Sequence, residues 1–324
     1  MTRPIIVTGA AGFIGCNVVS ELNARGREDL LLVDLLGTDD KWQNLRGRAF
    51  DDLISPDALM AHVDRGTLPA PEAVIHLGAC SATTERDADF LLANNTHYSR
   101  RLCEWALQHD ARFVYASSAA TYGDGAQGYN DAPEELMALR PLNMYGHSKH
   151  LFDLWAQQRG LFDRIVGLKY FNVFGPFEEH KGEMRSLVHK AFGQIKSRGW
   201  IELFKSDRDG YADGEQKRDF IYVKDVVDVT LHFWENRSSG GLFNCGTGRA
   251  GTWIELATAL FAALELAPDI RFIDMPDVLR GKYQYFTQAD TTRLRAAGYT
   301  RAFTPLAEAV ADYVRTHLAP SVAV

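Results

Sequence analysis

The feature that most constrains this 324-residue chain lies at its amino end, where Ile5-Ile6-Val7 runs through Thr8 into Gly9-Ala10-Ala11-Gly12-Phe13-Ile14-Gly15. A short apolar strand, a glycine turn and a helix carrying Ile14, Val18 and Leu22 as far as Gly26 make one unit. Its glycines let the backbone approach a pyrophosphate, and the helix start offers free N–H groups and the positive end of its dipole. Gly9-x-x-Gly12-x-x-Gly15 is a variant of the dinucleotide fingerprint with the same mechanics. Leu30-Leu31-Leu32-Val33-Asp34 reads as the next strand, ending in an acid placed to accept from ribose hydroxyls.

The alternation continues. Ala73–Ala79, Phe113–Ala116 and Ile165–Asn172 read as strands, and 87–108 and 145–159 as helices. The expected fold is therefore α/β, a Rossmann doubly wound parallel sheet with a smaller mixed α/β substrate domain on the carboxyl-terminal side. After Gly175-Pro176 the pattern changes. A helix carries Met184, Leu187, Val188, Ala191, Phe192 and Ile195 up to Gly199, Trp200–Phe204 is a short strand, and 207–217 is a charged loop. Arg218–Val223 is a strand, Asp225 is expected to cap a helix through Val229 and Phe233, and Leu242–Gly246 is a strand. Thr252-Trp253-Ile254-Glu255 is a capping box, and 270–273, 291–297 and 305–318 are further elements. We expect a dinucleotide-binding domain over 1–173, with returning segments near 219–247, and a substrate-binding domain from 174–218 and 248–320.

A formal charge of −7 argues against a nucleic-acid or membrane-surface binder, and no apolar run approaches a membrane span. The amino end enters a strand at once, leaving no room for a signal peptide, so a cytoplasmic protein is expected. Cys16, Cys80, Cys103 and Cys245 show neither paired spacing nor nearby paired histidines; they read as small buried hydrophobes, with no metal site expected.

Reaction chemistry enters at Asn143-Met144-Tyr145-Gly146-His147-Ser148-Lys149. On a helix starting after Pro141, Tyr145 and Lys149 share a face, and a cation near a phenol favours the phenolate. A hydroxyl at the end of the Phe113–Ala116 strand, Ser117 or Ser118, can reach the same substrate oxygen. Leu77, Gly78, Ala79, Cys80 and Ser81 follow a strand whose carboxyl end borders a ligand crevice. His76 reads as a packed core residue, and the amides of Asn94 and Asn95 either face the cofactor or lie on the surface. Asp34 favours NAD over NADP, whereas Lys41 can offset its repulsion of a 2′-phosphate.

With the glycine turn, Ser118, Tyr145-x-x-x-Lys149 and Arg218-Asp219-Phe220-Ile221-Tyr222-Val223, nearly the whole chain resembles the extended short-chain dehydrogenase/reductase family of nucleotide-sugar enzymes. Within it, Gly78–Glu85, Tyr115–Gly123, Tyr170–Pro176, His180-Lys181-Gly182, Gly246–Ala250 and Tyr283–Asp290 resemble the ADP-L-glycero-D-manno-heptose 6-epimerases of lipopolysaccharide synthesis. The resemblance implies Tyr145 and Lys181 as two acid/bases, Ser118 as a hydrogen-bonding partner and Lys149 as the residue that binds cofactor ribose and tunes Tyr145. It places Phe13, Ile14, Asp34, Leu35, Lys41, Leu77 to Ser81, Asn94, Lys149, Val173 and Lys181 beside a cofactor, preferentially NADP with NAD possible. It assigns Ser118, Asn172, Glu183, Lys190, Phe204, Lys205, Ser206, Asp207, Arg218 and Tyr283 to the ADP-sugar. Glu183 departs from the serine expected there, and the 207–217 loop is longer than usual. Similar enzymes form homo-oligomers, including pentamers.

Three other readings compete. A dehydratase of the same fold places acidic residues after the catalytic hydroxyl, where this chain has Ala119 and Ala120. A UDP-hexose 4-epimerase uses the same tyrosine and lysine. A cofactor-bound scaffold needs none of Ser118, Tyr145 and Lys149.

Overall fold

The structure, a computed structural model, describes residues 3–277 and 284–320. In chain order the strands are β1 (Ile5–Thr8), β2 (Leu30–Val33), β3 (Asp52–Ile54), β4 (Ala73–His76), β5 (Arg112–Ser118), β6 (Ile165–Tyr170), β7 (Asn172–Phe174), β8 (Ile201–Phe204), β9 (Lys217–Tyr222), β10 (Gly241–Cys245), β11 (Ala250–Thr252) and β12 (Ile270–Ile273). Seven of them make one parallel sheet in the order β10-β6-β5-β4-β1-β2-β3. Strands β1, β4 and β6 are buried along their whole length, as apolar runs covered on both faces should be.

One face carries helices Phe13–Ala24 and Val223–Glu235, which meet through Val18, Val19, Leu22, Val227 and Leu231. The other carries Tyr98–Gln108 and Met144–Gln158, packed through Leu102, Trp105, Phe152 and Trp155. The order reverses beside β1, whose neighbours are β2 and β4, so the crevice for a ligand opens at the carboxyl ends of these strands. A three-stranded sheet β11-β9-β7 and the pair β12-β8 surround a second core of Phe192, Leu203, Leu256, Phe261 and Tyr313.

Several elements differ from expectation. Asp225 does not cap its helix: the N-cap is Tyr222, and the Asp225 carboxylate instead accepts from Thr304 N–H and Oγ1, both at 2.9 Å. The strand expected over 165–172 divides at Phe171. The helix over 88–108 passes through a π-helical turn at Leu92–His97. Strand β3 and helix Pro56–Arg65 are additions, the latter opened by Ser55, whose hydroxyl accepts from Ala58 N–H at 3.1 Å. The capping box at Thr252 and Glu255 forms with both of its hydrogen bonds. Among the described residues no helix is long and apolar enough to cross a membrane.

Candidate active site

A cavity of about 860 Å³ opens at the carboxyl ends of β1, β4, β5 and β6. Its floor is the glycine turn. Gly9 has φ +67°, and a Cβ there would lie 2.8 Å from Gly78 N; a Cβ on Gly15 would lie 2.0 Å from the Gly9 carbonyl oxygen. Gly12 begins the Phe13–Ala24 helix without any side-chain cap, so its first N–H groups remain available to an anion. The turn is therefore a cradle shaped for a diphosphate, and the donor set fits a dinucleotide cofactor.

Thr8, His76 and Ser99 hold that cradle against β4. The Thr8 hydroxyl oxygen accepts from Gly78 N–H at 2.9 Å and lies 2.7 Å from His76 Nδ1; His76 Nε2 lies 2.7 Å from Ser99 Oγ, which donates to the Asn95 carbonyl at 2.6 Å. Because the Ser99 proton is committed to Asn95, Nε2 must carry the imidazole proton, and Nδ1 accepts from Thr8. Burial, with the Lys149 charge adding to it, pushes His76 down to about 3. His76 is a core residue, as expected, and it is neutral.

Asp34 reaches the ribose end of the cavity with both oxygens engaged. It accepts from Ala11 N–H and Leu35 N–H, each at 2.8 Å, and pairs with Lys41 Nζ at 3.0 Å. Gly9, Gly12, Phe13, Ile14, Gly15, Asp34, Leu35, Lys41, Leu77 to Ser81, Asn94, Lys149, Val173 and Lys181 all line this one cavity. Cys80 lies half-buried among them, unlike Cys16, Cys103 and Cys245, which are core.

Tyr145, Ser118 and Asn172 line the same cavity. Asn143 caps the helix by accepting from Gly146 N–H at 2.8 Å, and a Cβ on Gly146 would sit 2.7 Å from the Ala120 carbonyl oxygen. That close approach sets Tyr145 beside Ser118. Ala120 N–H occupies one lone pair of Ser118 Oγ at 3.1 Å, leaving the hydroxyl proton for Tyr145. Burial raises the Tyr145 phenol, while the Ser118 hydrogen bond pulls it back. The Lys149 ammonium donates to the Ala116 carbonyl at 2.9 Å, and burial lowers Lys149 to about 8 against the opposing charge of Asp153.

Asn95, buried in the π-helical turn, joins these pieces. Its side chain accepts from Cys80 N–H at 2.9 Å and donates to the Cys80 carbonyl and to Ser148 Oγ, both at 3.0 Å. Poor helix propensity at 94–95 was the one sign of this role in the sequence.

Lys181 enters from a separate element, a 3₁₀ segment kinked at Gly182, with its ammonium 4.9 Å above the Phe13 ring. Burial lowers its pKa, and Glu178 opposes that shift. The residues expected on the sugar side are not brought together in this way. Glu183 is exposed and pairs with Lys190 at 3.4 Å; Lys205 pairs with Asp274 at 3.1 Å; Asp207 N–H donates to the Tyr285 hydroxyl at 3.0 Å. Glu183, Lys190, Lys205 and Asp207, with Phe204, Ser206 and Arg218, do not line the cavity, although Arg218 lies over Trp253, which does. Tyr283 falls outside the described residues. Phe220, Trp253 and Leu256 also line the cavity, a place the sequence reading did not assign to them.

Residues 5–246 match the model of the NAD dependent epimerase/dehydratase family. The chain belongs to this family. An ADP-L-glycero-D-manno-heptose-6-epimerase of Nitratidesulfovibrio vulgaris (strain DP4) is 54% identical over 315 residues, covering 97% of this chain and 98% of that protein. A protein of the same description from Fusobacterium nucleatum subsp. nucleatum is 47% identical, again over 97% of this chain and 98% of its own length. Among solved structures, the Helicobacter pylori ADP-L-glycero-D-manno-heptose-6-epimerase superposes with a TM-score of 0.81 at 25% identity, covering 97% and 96% of the two chains. In an epimerase of this family, a nicotinamide cofactor accounts for a diphosphate cradle that leads to a tyrosine hydroxyl.

Proposed function

We propose that this chain is an ADP-L-glycero-D-manno-heptose 6-epimerase, inverting carbon six of the heptose in ADP-D-glycero-D-manno-heptose for lipopolysaccharide core synthesis. The observation that carries the reading is the convergence of Ser118, Tyr145, Lys149 and Lys181 on one cavity that begins at the glycine cradle. A nicotinamide cofactor held at the glycine cradle, Asp34 and Lys149 would supply reversible hydride exchange at the secondary alcohol carbon.

The protein's part is to hold the substrate and move protons. Tyr145 exchanges a proton with the alcohol oxygen, and Ser118 donates its one hydroxyl proton to that phenol oxygen. Lys149 would hold the nicotinamide ribose and place positive charge near the phenol. Once the ketone has turned, its oxygen points away from Tyr145, and Lys181, on a different element, serves as the second acid/base. A lysine held below its ordinary pKa by burial suits that task.

For the cofactor we favour NADP, because Lys41 already neutralises Asp34 and leaves the ribose end open to a 2′-phosphate. Asn172 is the substrate-facing residue inside the cavity. Glu183, Lys190, Phe204 to Asp207, Arg218 and Tyr283 would meet the nucleotide and sugar. A cytoplasmic homo-oligomer completes this reading.

The deciding experiment follows ADP-D-glycero-D-manno-heptose by proton NMR in deuterated water with the cofactor-loaded protein. Conversion to the L-glycero isomer without deuterium at carbon six is expected. No conversion, with turnover of a UDP-hexose instead, sinks the heptose assignment; deuterium at carbon six sinks hydride return.

A further inference from the structure

Two fully buried charges lie beneath the cavity, outside the roles just described. Asp153 and Lys169 are each 0% exposed and approach to 3.2 Å. Asp153 is one helical turn beyond Lys149 on the same helix. Its carboxylate accepts from the Tyr115 hydroxyl at 2.8 Å and the Ser117 hydroxyl at 2.7 Å. These residues flank Ala116, whose carbonyl receives the Lys149 ammonium. On a strand, 115 and 117 share a face, so one carboxylate ties both sides of the Lys149 acceptor to the Lys149 helix. Lys169 is itself fixed by the Thr121 hydroxyl at 2.5 Å and by the Tyr122 ring, 4.8 Å away.

We propose that Asp153, backed by Lys169, is the positioning unit of Lys149: it sets the spacing between helix Met144–Gln158 and β5 where the ammonium is held, and it places a buried negative charge one helical turn from that ammonium. Among the groups facing Lys149, Asp153 is the leading source of this charge, ahead of Cys80; His76 is neutral and Tyr145 is a phenol held above its ordinary pKa. Asp153 in turn faces Lys169 and His150, and Lys169 also feels Asp131. Breaking the pair by removing one partner strands a buried charge, so the clean perturbation removes both.

The proposal rests on Lys149 contacting the cofactor, and its test is NADP⁺ binding, titrated from pH 6.5 to 9.5. Wild-type affinity should fall as pH rises through the Lys149 titration. In Asp153→Asn/Lys169→Met that fall should move down by about one pH unit or more, the effect of losing a nearby opposite charge, while Lys149→Met should bind weakly with no such fall. A double variant that folds with a wild-type midpoint overturns the positioning unit alone. A wild-type profile that is flat, and that Lys149→Met leaves unchanged, overturns the cofactor role of Lys149 and the proposal with it. Tyr115→Phe/Ser117→Ala keeps the charge but unties the flanks of Ala116, and so covers the case of a double variant that does not fold. It should weaken NADP⁺ binding several-fold with the pH midpoint unmoved, and unchanged affinity overturns the geometric half of the proposal.

Discussion

Replacing His76 with Gln should remove a defined part of the protein's acid sensitivity. In the folded chain His76 is pushed down to about 3, first by burial and then by the Lys149 charge; in the unfolded chain it titrates near 6.5. Because the folded value is the lower one, the neutral imidazole is bound preferentially by the native state. Its stabilisation is complete above the unfolded pKa and is lost as pH falls from about 6.5 toward 3. Between pH 7 and pH 5 the loss amounts to about 2 kcal/mol, since 1.4 kcal/mol corresponds to each pH unit once the unfolded histidine is protonated. Gln keeps one acceptor for Thr8 and one donor for Ser99, so the variant should fold, at a cost of about 1–3 kcal/mol at pH 7 for imperfect hydrogen bonds. Urea unfolding followed by tryptophan fluorescence at both pH values gives the comparison. Burial also lowers His150, His180 and His189, but these contribute to both proteins and cancel in the difference. Wild type should lose about 2 kcal/mol more than the variant. Equal losses would refute both the neutral tautomer and its place in the Thr8–Ser99 chain.

Other outcomes follow from the site. Gly15→Ala places a Cβ against the Gly9 carbonyl and should cost about 3 kcal/mol or more; cofactor titration should show loss of binding even where the protein stays soluble. Tyr145→Phe should lower single-turnover hydride transfer by about 10²–10⁴-fold with cofactor retained, the range for a removed acid/base, and Ser118→Ala by a smaller factor. Lys41→Ala leaves Asp34 unpaired at the ribose end and should weaken NADP⁺ by about tenfold or more with little change in NAD⁺, read as a ratio of Kd values. Asp219 is buried and accepts from Thr247 N–H and Oγ1, Gly248 N–H and Ala289 N–H. Each carboxylate oxygen takes two of these bonds, so Asp219→Asn sets an NH2 group against at least one backbone N–H and should lower the thermal midpoint by several degrees.

The contrast between the two sides of the cavity has a physical origin. Residues expected beside the cofactor sit on the turn after β1 or at carboxyl ends of strands in one sheet, so a single local rule, applied strand by strand, places Asp34, Leu77 to Ser81 and Ser118 around one opening. Tyr145 and Lys149 were legible for a similar reason, because helical spacing alone puts them on one face. Residues expected beside the sugar hang from segments over 174–218 and 248–290, and their positions depend on how a second core packs, which no local period reports. Tertiary partners were equally invisible. Asp225 reads in sequence as a cap and Asp153 drew no reading at all, yet both carboxylates turn inward to donors distant along the chain. Lys169 stands near the end of an otherwise apolar strand. A lysine can occupy such a position only with a buried counter-charge, so the pattern demanded an acid somewhere, and only the fold could say that it lies one helical turn from Lys149.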